Sequence, residues 1–131
     1  EKIKAYHPNC ECILRIKVDS LPSKFGADQN KAMLLIKRAV EMNLNLVGIC
    51  FYVGFRQKTP LYIIESIKNA RILFDYARDT LGYTMNVLDI GGGFPGTWQT
   101  IKLFESMAFR INQILDEYFP EVEFQNRCKK A

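Results

Sequence analysis

The 131 residues suffice for one ordinary domain, and 48% hydrophobic content with 12% aromatic supplies a core, which excludes a disordered chain. A net charge of +4, from 18 basic and 14 acidic residues, is spread without a basic stripe and interleaved aromatics, which argues against a nucleic-acid surface. No apolar run approaches the roughly 20 residues that cross a bilayer, so no membrane span is expected.

Cys10, Cys12, Cys50 and Cys128 follow no regular spacing, and the charged opening "EKIK" has no signal-peptide pattern. Free thiols in a reducing, cytoplasmic setting are expected. His7 lies near Cys10 and Cys12, but no second ligand pair follows at zinc spacing, so no metal site is expected and His7 receives no catalytic role.

In chain order, "CILRIKV" at 12–18 is apolar and β-branched and reads as a strand, closed by the breakers of "DSLPSKFG". Asp28 is positioned to N-cap a helix ending near Asn43, with Met33, Ile36 and Val40 beside Leu35, Ala39 and Met42 as its apolar stripe. "LVGICFYVG" at 46–54 is nearly all apolar, as a strand buried in a parallel sheet would be. Thr59 then precedes Pro60, the pattern of an N-cap followed by proline at the first helical position. Ile63, Ile67, Ala70, Phe74, Ala77 and Leu81 recur at steps of three and four, and Gly82 ends that helix. "TMNVLDI" at 84–90 is the third strand and "GGGFPGT" the loop after it. A third helix is expected from Trp98 to Phe119, with Ile101, Phe104, Ala108, Ile111, Leu115 and Tyr118 as its stripe and Pro120 as its stop.

Strand, loop and helix thus repeat three times, with strand starts near 12, 46 and 84 and separations of about 34 and 38 residues, as βαβ units require. The class is α/β with parallel strands. An open doubly wound sheet and part of a (β/α)8 barrel both satisfy the pattern, and a whole barrel takes about 250 residues. In either, ligands bind at the carboxyl ends of the strands, where the three loops lie.

Gly91, Gly92 and Gly93 sit between a strand and a helix, where exposed N–H groups can cradle a phosphate and where a tight turn would also need glycine. Pro95 breaks any dinucleotide-type fingerprint, and no Gly-Lys-Ser/Thr follows to make a P-loop. Asp89 can act as a base or cap backbone N–H groups, the capping role being the plainer one. Arg15 in an apolar run calls for a carboxylate or a ligand anion, unless it shares a solvent-facing edge with Lys17. Tyr52 can stack on a planar ring or belong to the core. No Ser, His and Asp set forms a triad.

"LDIGGGFPG", "NLNLVGICFYVG", "ILRI", "SKFGA" and "NARILFDYARDTLGY" together resemble the central part of eukaryotic ornithine decarboxylase and its relatives, the antizyme inhibitors, in order and spacing from about Ala5 to Pro120. The resemblance implies a fold-type III, pyridoxal 5'-phosphate-dependent decarboxylase whose cofactor domain is a (β/α)8 barrel. Residues 1–131 would be about three βα units of it, a partial barrel, with 121–131 as a divergent tail. In such a family Gly91, Gly92 and Gly93 hold the cofactor phosphate, Tyr52 takes the place of a ring-stacking histidine, and Arg15 matches an arginine near the cofactor. Phe55 stands where a serine hydroxyl also holds phosphate.

The resemblance also marks what differs. The loop between Asp19 and Lys24 is shorter than the family's, and "EVEFQNRCKKA" replaces the approach to a Glu-Pro-Gly-Arg segment whose glutamate pairs with the ring nitrogen. No lysine here matches the one that forms the Schiff base, so no catalytic residue is assigned and the chain alone is expected to be inactive. The parent activity implied is decarboxylation of ornithine to putrescine by a homodimer. A non-catalytic, antizyme-inhibitor-like regulator is the alternative, although the family's antizyme-binding segment precedes residue 1 and these residues alone should bind antizyme poorly.

Overall fold

The structure, a computed structural model, describes residues 1–120. The expected divergent tail at 121–131, with Arg127, Cys128, Lys129 and Lys130, lies outside the described residues.

The elements are α1 (Lys2–Tyr6), β1 (Glu11–Arg15), α2 (Gln29–Glu41), β2 (Asn45–Cys50), α3 (Leu61–Asp75), β3 (Val87–Asp89) and α4 (Ile101–Tyr118). A wider π-type turn, Tyr76–Thr80, extends α3, and a 3-10 turn, Trp98–Thr100, leads into α4. The strands form one parallel sheet in the order β1-β2-β3. Consecutive order without reversal suits a barrel segment, and also one half of a doubly wound sheet on one side of its switch point.

Register fixes the two faces, because side chains of paired residues in a parallel sheet point the same way. Leu14, Ile49 and Leu88 form one row, and Arg15, Cys50 and Asp89 form the next on the opposite face. Ile49 is completely buried, with Leu14 and Leu88 packed around it, in a core shared with Ile36 of α2, Ile63, Ile67 and Leu73 of α3, and Met107 and Ile111 of α4. Val47 is the extra residue of an irregularity between Cys12 and Ile13 that keeps this alternation in phase along β1 and β2.

Local chemistry sets the helix ends. The Asp28 carboxylate accepts from the Lys31 N–H at 2.9 Å, as the sequence leads one to expect. Thr59 and Pro60 behave differently from expectation: α3 starts at Leu61 with Pro60 as its cap, and the Thr59 hydroxyl accepts from the Leu61 N–H at 3.3 Å. At the far end Gly82 adopts φ 62, and the Tyr83 N–H reaches back to the Ala77 carbonyl at 2.8 Å, closing the helix with a Schellman-type bond. Arg71 joins α3 to the end of α4 by donating to the Tyr118 carbonyl at 3.2 Å, and Phe74 meets Phe119 edge-on at 5.1 Å.

Four other sequence expectations are corrected. In α2 the buried residues are Ala32 and Ile36, with Met33 and Ala39 partly buried against the core, while Leu35 is exposed. In α4 the buried residues are Met107, Ile111 and Ile114, so Ile101 and Phe104 of the expected stripe are exposed. The expected start of that helix at Trp98 is a 3-10 turn closed by Thr97 and Thr100. The strands are shorter than 12–18, 46–54 and 84–90. After Arg15 the chain leaves for a bridge between Ile16 and Ala27, and beyond Cys50 only the Phe51 N–H still reaches the Asp89 carbonyl, at 3.1 Å. The helix α1 carries no apolar pattern and buries nothing; Lys4, donating to the Asn43 carbonyl at 2.8 Å, ties it to the end of α2.

Candidate functional site

The loops after β1, β2 and β3 meet at the carboxyl end of the sheet, and the glycine run is where they join. Gly91 has φ 70 and Gly93 φ 91, both in the left-handed region. A Cβ on Gly91 would overlap the Phe51 carbonyl and sit 3.3 Å from the Tyr52 Cα; on Gly93 it would overlap the Gly54 carbonyl and sit 3.1 Å from the Phe55 Cα. These two glycines let the β3 loop lie directly on the β2 loop. Gly92 between them is different, for nothing lies within 4 Å of its missing Cβ and its φ is ordinary.

Hydrogen bonds hold this junction. The Asp89 carboxylate accepts from the Gly91 N–H at 2.8 Å, which makes it the capping residue its position suggested. The Gln57 N–H donates to the Gly93 carbonyl at 3.3 Å, and its side-chain amide donates to the Val53 carbonyl at 2.8 Å. The N–H groups of Gly92 and Gly93 have no acceptor among the described residues. Two adjacent free donors at a strand end are what an anion can use.

Two pockets flank the junction. One, of about 290 Å³, is lined by Arg15, Leu21, Phe25, Tyr52, Val53 and Gly54 among others. Arg15 ends β1 at the solvent-facing side of the sheet, with its guanidinium 5.2 Å from the Phe25 ring centre. Among the described residues it has no ion-pair partner, so of the two partners expected for it the carboxylate is not there. Tyr52 is 41% exposed and opens into the same space, so its role is not that of a core residue. Phe55 is turned away from both. It is 75% exposed and lines a second pocket, of about 550 Å³, with Arg56, Lys58, Phe94 and Thr97.

The sheet thus brings Arg15 and Tyr52 together, sets Gly91 against Tyr52 and Gly93 against the backbone of Gly54 and Phe55, and leaves the Phe55 ring in the second pocket, apart from Arg15 and Tyr52. Cys50 lies between Arg15 and Asp89 in the row across the strands, a position no motif announced. Its thiol is pushed above the ordinary value, by burial first and then by the Asp89 carboxylate, against a smaller opposing effect of Arg15. The signal for it was register alone, since Cys50 is the residue paired to both.

These features fit one end of a phosphorylated pyridine cofactor. Free N–H donors at Gly92 and Gly93 suit the phosphate, and Arg15 and Tyr52 offer a cation and a ring beside it. The other end does not fit. Among the described residues neither an acid nor a lysine lines the Arg15–Tyr52 pocket, so none of them can pair there with a ring nitrogen or hold an aldehyde.

Residues 1–127 match the family described as pyridoxal-dependent decarboxylase, pyridoxal binding domain. The chain is 39% identical to ornithine decarboxylase of Mus musculus over 125 residues, covering 91% of this chain and 27% of that protein. It is 38% identical to antizyme inhibitor 2 of Xenopus laevis over 126 residues, 92% of this chain and 27% of the relative. The crystal structure of Paramecium bursaria Chlorella virus arginine decarboxylase bound to agmatine superposes with a TM-score of 0.80 at 34% identity, over 91% of this chain and 33% of that one. The chain therefore spans little more than a quarter of the curated relatives' length, 27% in both cases. The likeness extends to the partial barrel of parallel strands, and the chain belongs to the pyridoxal-dependent decarboxylase family, within its pyridoxal-binding domain.

Proposed function

We propose that the chain is the phosphate-binding part of an ornithine decarboxylase-like protein, with Gly91, Gly92, Gly93, Arg15 and Tyr52 contacting pyridoxal 5'-phosphate, and that these 131 residues alone bind it weakly and catalyse nothing. The observation that carries this reading is the pair of free N–H donors at Gly92 and Gly93, held in place by Gly91 and Gly93, where a Cβ would overlap the backbone of the β2 loop. Bound there, the cofactor supplies an electron sink for loss of carbon dioxide from an amino acid such as ornithine. The chain's own contribution is to bind and orient. Asp89 fixes the Gly91 N–H, the Gly92 and Gly93 donors take the phosphate, Tyr52 offers a ring face, and Arg15 supplies positive charge. The missing acid and lysine support the absence of turnover.

The test is calorimetric titration with pyridoxine 5'-phosphate, which has no aldehyde and cannot attach to surface lysines. Dissociation in the range of about 10 μM or weaker is expected. Gly92→Ala, whose Cβ meets no protein atom, should keep the fold and weaken binding about tenfold by covering the donors. Submicromolar binding, or a Gly92→Ala chain that binds as well as its parent, would overturn the reading.

A second reading is favoured by Phe55: with a ring in place of the phosphate hydroxyl, the chain belongs to a non-catalytic regulator similar to the antizyme inhibitors. Expression of the full open reading frame separates the two, since release of carbon dioxide from ornithine is expected only of the enzyme. Antizyme binding and homodimer formation belong to that full-length protein, in the cytoplasm.

A further inference from the structure

Next to Phe55, where the resemblance implies a phosphate-holding hydroxyl, stand two cations that no other described residue pairs with. Arg56 and Lys58 follow it in the loop between β2 and α3, both exposed, and neither forms an ion pair or side-chain hydrogen bond among the described residues. Gln57 between them donates its N–H to the Gly93 carbonyl at 3.3 Å, so the pair flanks the point where this loop is tied to the glycine run. Both cations line the pocket of about 550 Å³ that begins at Phe94, the first residue after the glycines, and continues to Thr97 and Thr100.

The backbone adds an independent sign. Arg56 has φ 59, a left-handed conformation that residues other than glycine, asparagine and aspartate rarely adopt. Strain of this kind persists where the surroundings hold it, and it gathers at ligand-binding positions. The Gln57 N–H next in the chain is bonded to the Gly93 carbonyl, and Arg56 and Lys58 border one pocket with Phe55 and Phe94 as aromatic walls.

We propose that Arg56 and Lys58 are the cationic side of the phosphate site, serving with the Gly92 and Gly93 donors in place of the hydroxyl that Phe55 lacks. The ligand class is a phosphate monoester on an aromatic ring. The inference rests on the cofactor-binding reading above, and it adds that charge, in place of a neutral hydroxyl, holds the phosphate. Exposed cations give a bond that salt weakens, consistent with weak binding.

The experiment compares pyridoxine 5'-phosphate, pyridoxine and inorganic phosphate by calorimetry on the intact 131-residue chain and on Arg56→Gly, Lys58→Gln and Lys102→Gln. Arg56→Gly removes the charge and the unfavourable φ together, so its thermal stability should hold or rise while affinity for the phosphate monoester falls about tenfold. Lys58→Gln should lose about as much, both losses shrinking at high salt, with Lys102→Gln unchanged. Pyridoxine should bind equally poorly to all. Unchanged affinity in Arg56→Gly and Lys58→Gln, with the Gly92→Ala loss still present, would overturn this inference and leave the cofactor reading standing. Equal binding of pyridoxine and its phosphate by the parent chain, or no binding of either, would overturn both. An equal loss in Lys102→Gln would reduce the effect to net charge and also overturn the inference.

Discussion

On the helix-facing side of the sheet, Leu14, Ile49 and Leu88 pack into a core where Ile36, Ile63, Ile67 and Leu73 are completely buried. On the other side Ile13 and Val87 remain 44% and 36% exposed, and Arg15 and Asp89 reach solvent. The asymmetry follows from right-handed crossovers, which carry α2 and α3 to the same side of a sheet whose order does not reverse. In a closed barrel the second face looks inward on opposite strands. The difference teaches that the stability of these residues resides in the helix layer, whereas their polar chemistry resides on the bare face and the loops at its edge.

The largest expected effect challenges that division from the bare side. Gly48 lies on the same face as Arg15 and Cys50, yet a Cβ there would overlap the Val87 carbonyl. Gly48→Ala should push β3 off β2 and cost about 3 kcal/mol or more, read as loss of a cooperative urea transition. A chain with an unchanged midpoint would mean that β3 contributes little. Next comes a matched pair of truncations. Ile67→Ala, in the buried layer, should cost about 2–5 kcal/mol, and Ile13→Ala, on the bare face, less than about 1 kcal/mol. Equal losses in the two variants would show the bare face to be covered in solution.

The same asymmetry decides how much could be read from the sequence. The stripe of α3 was legible, since Ile63, Ile67, Ala70, Phe74 and Ala77 are buried as their period demands, but Ile64, Ser66 and Leu73 are buried as well because this helix is covered over a wider face than one stripe. The helix α4 is apolar on adjacent faces, and the expected stripe of Ile101, Phe104, Ala108, Ile111, Leu115 and Tyr118 shares only Ile111 with the buried Met107, Ile111 and Ile114. Spacing alone cannot choose between those faces until α3 is in place. Parallel strands and the glycine loop were legible for a related reason: buried strands read as continuous apolar runs, and Gly91 and Gly93 have backbone needs that only glycine meets. The choice between an open sheet and a barrel depends on strand order, which no local pattern encodes. The pairing of Cys50 with Arg15 and Asp89, the strained Arg56 and the separation of Phe55 from Tyr52 depend on register and loop path in the same way.

The smallest effect tests the electrostatics of the bare face at its centre. Cys50 is held protonated by burial and by the Asp89 carboxylate, with Arg15 opposing. Asp89→Asn keeps an oxygen for the Gly91 N–H and removes only the charge, so the Cys50 thiol should ionise more readily. Alkylation by iodoacetamide, followed at that peptide by mass spectrometry near pH 8, should then quicken a few-fold, since the thiolate is the nucleophile. Arg15→Gln should slow it. A thiol pKa raised on folding also has a consequence for stability. The unfolded chain loses the Cys50 proton first, so stability is full below the ordinary thiol range and declines as pH rises through the folded value. Cys12, raised by burial and then by Cys10, acts in the same direction. Cys50→Ser should therefore flatten part of the alkaline decline in the urea midpoint, and Asp89→Asn should flatten a smaller part; a decline as steep in both variants as in the parent would mean that the row from Arg15 to Asp89 is not electrostatically coupled.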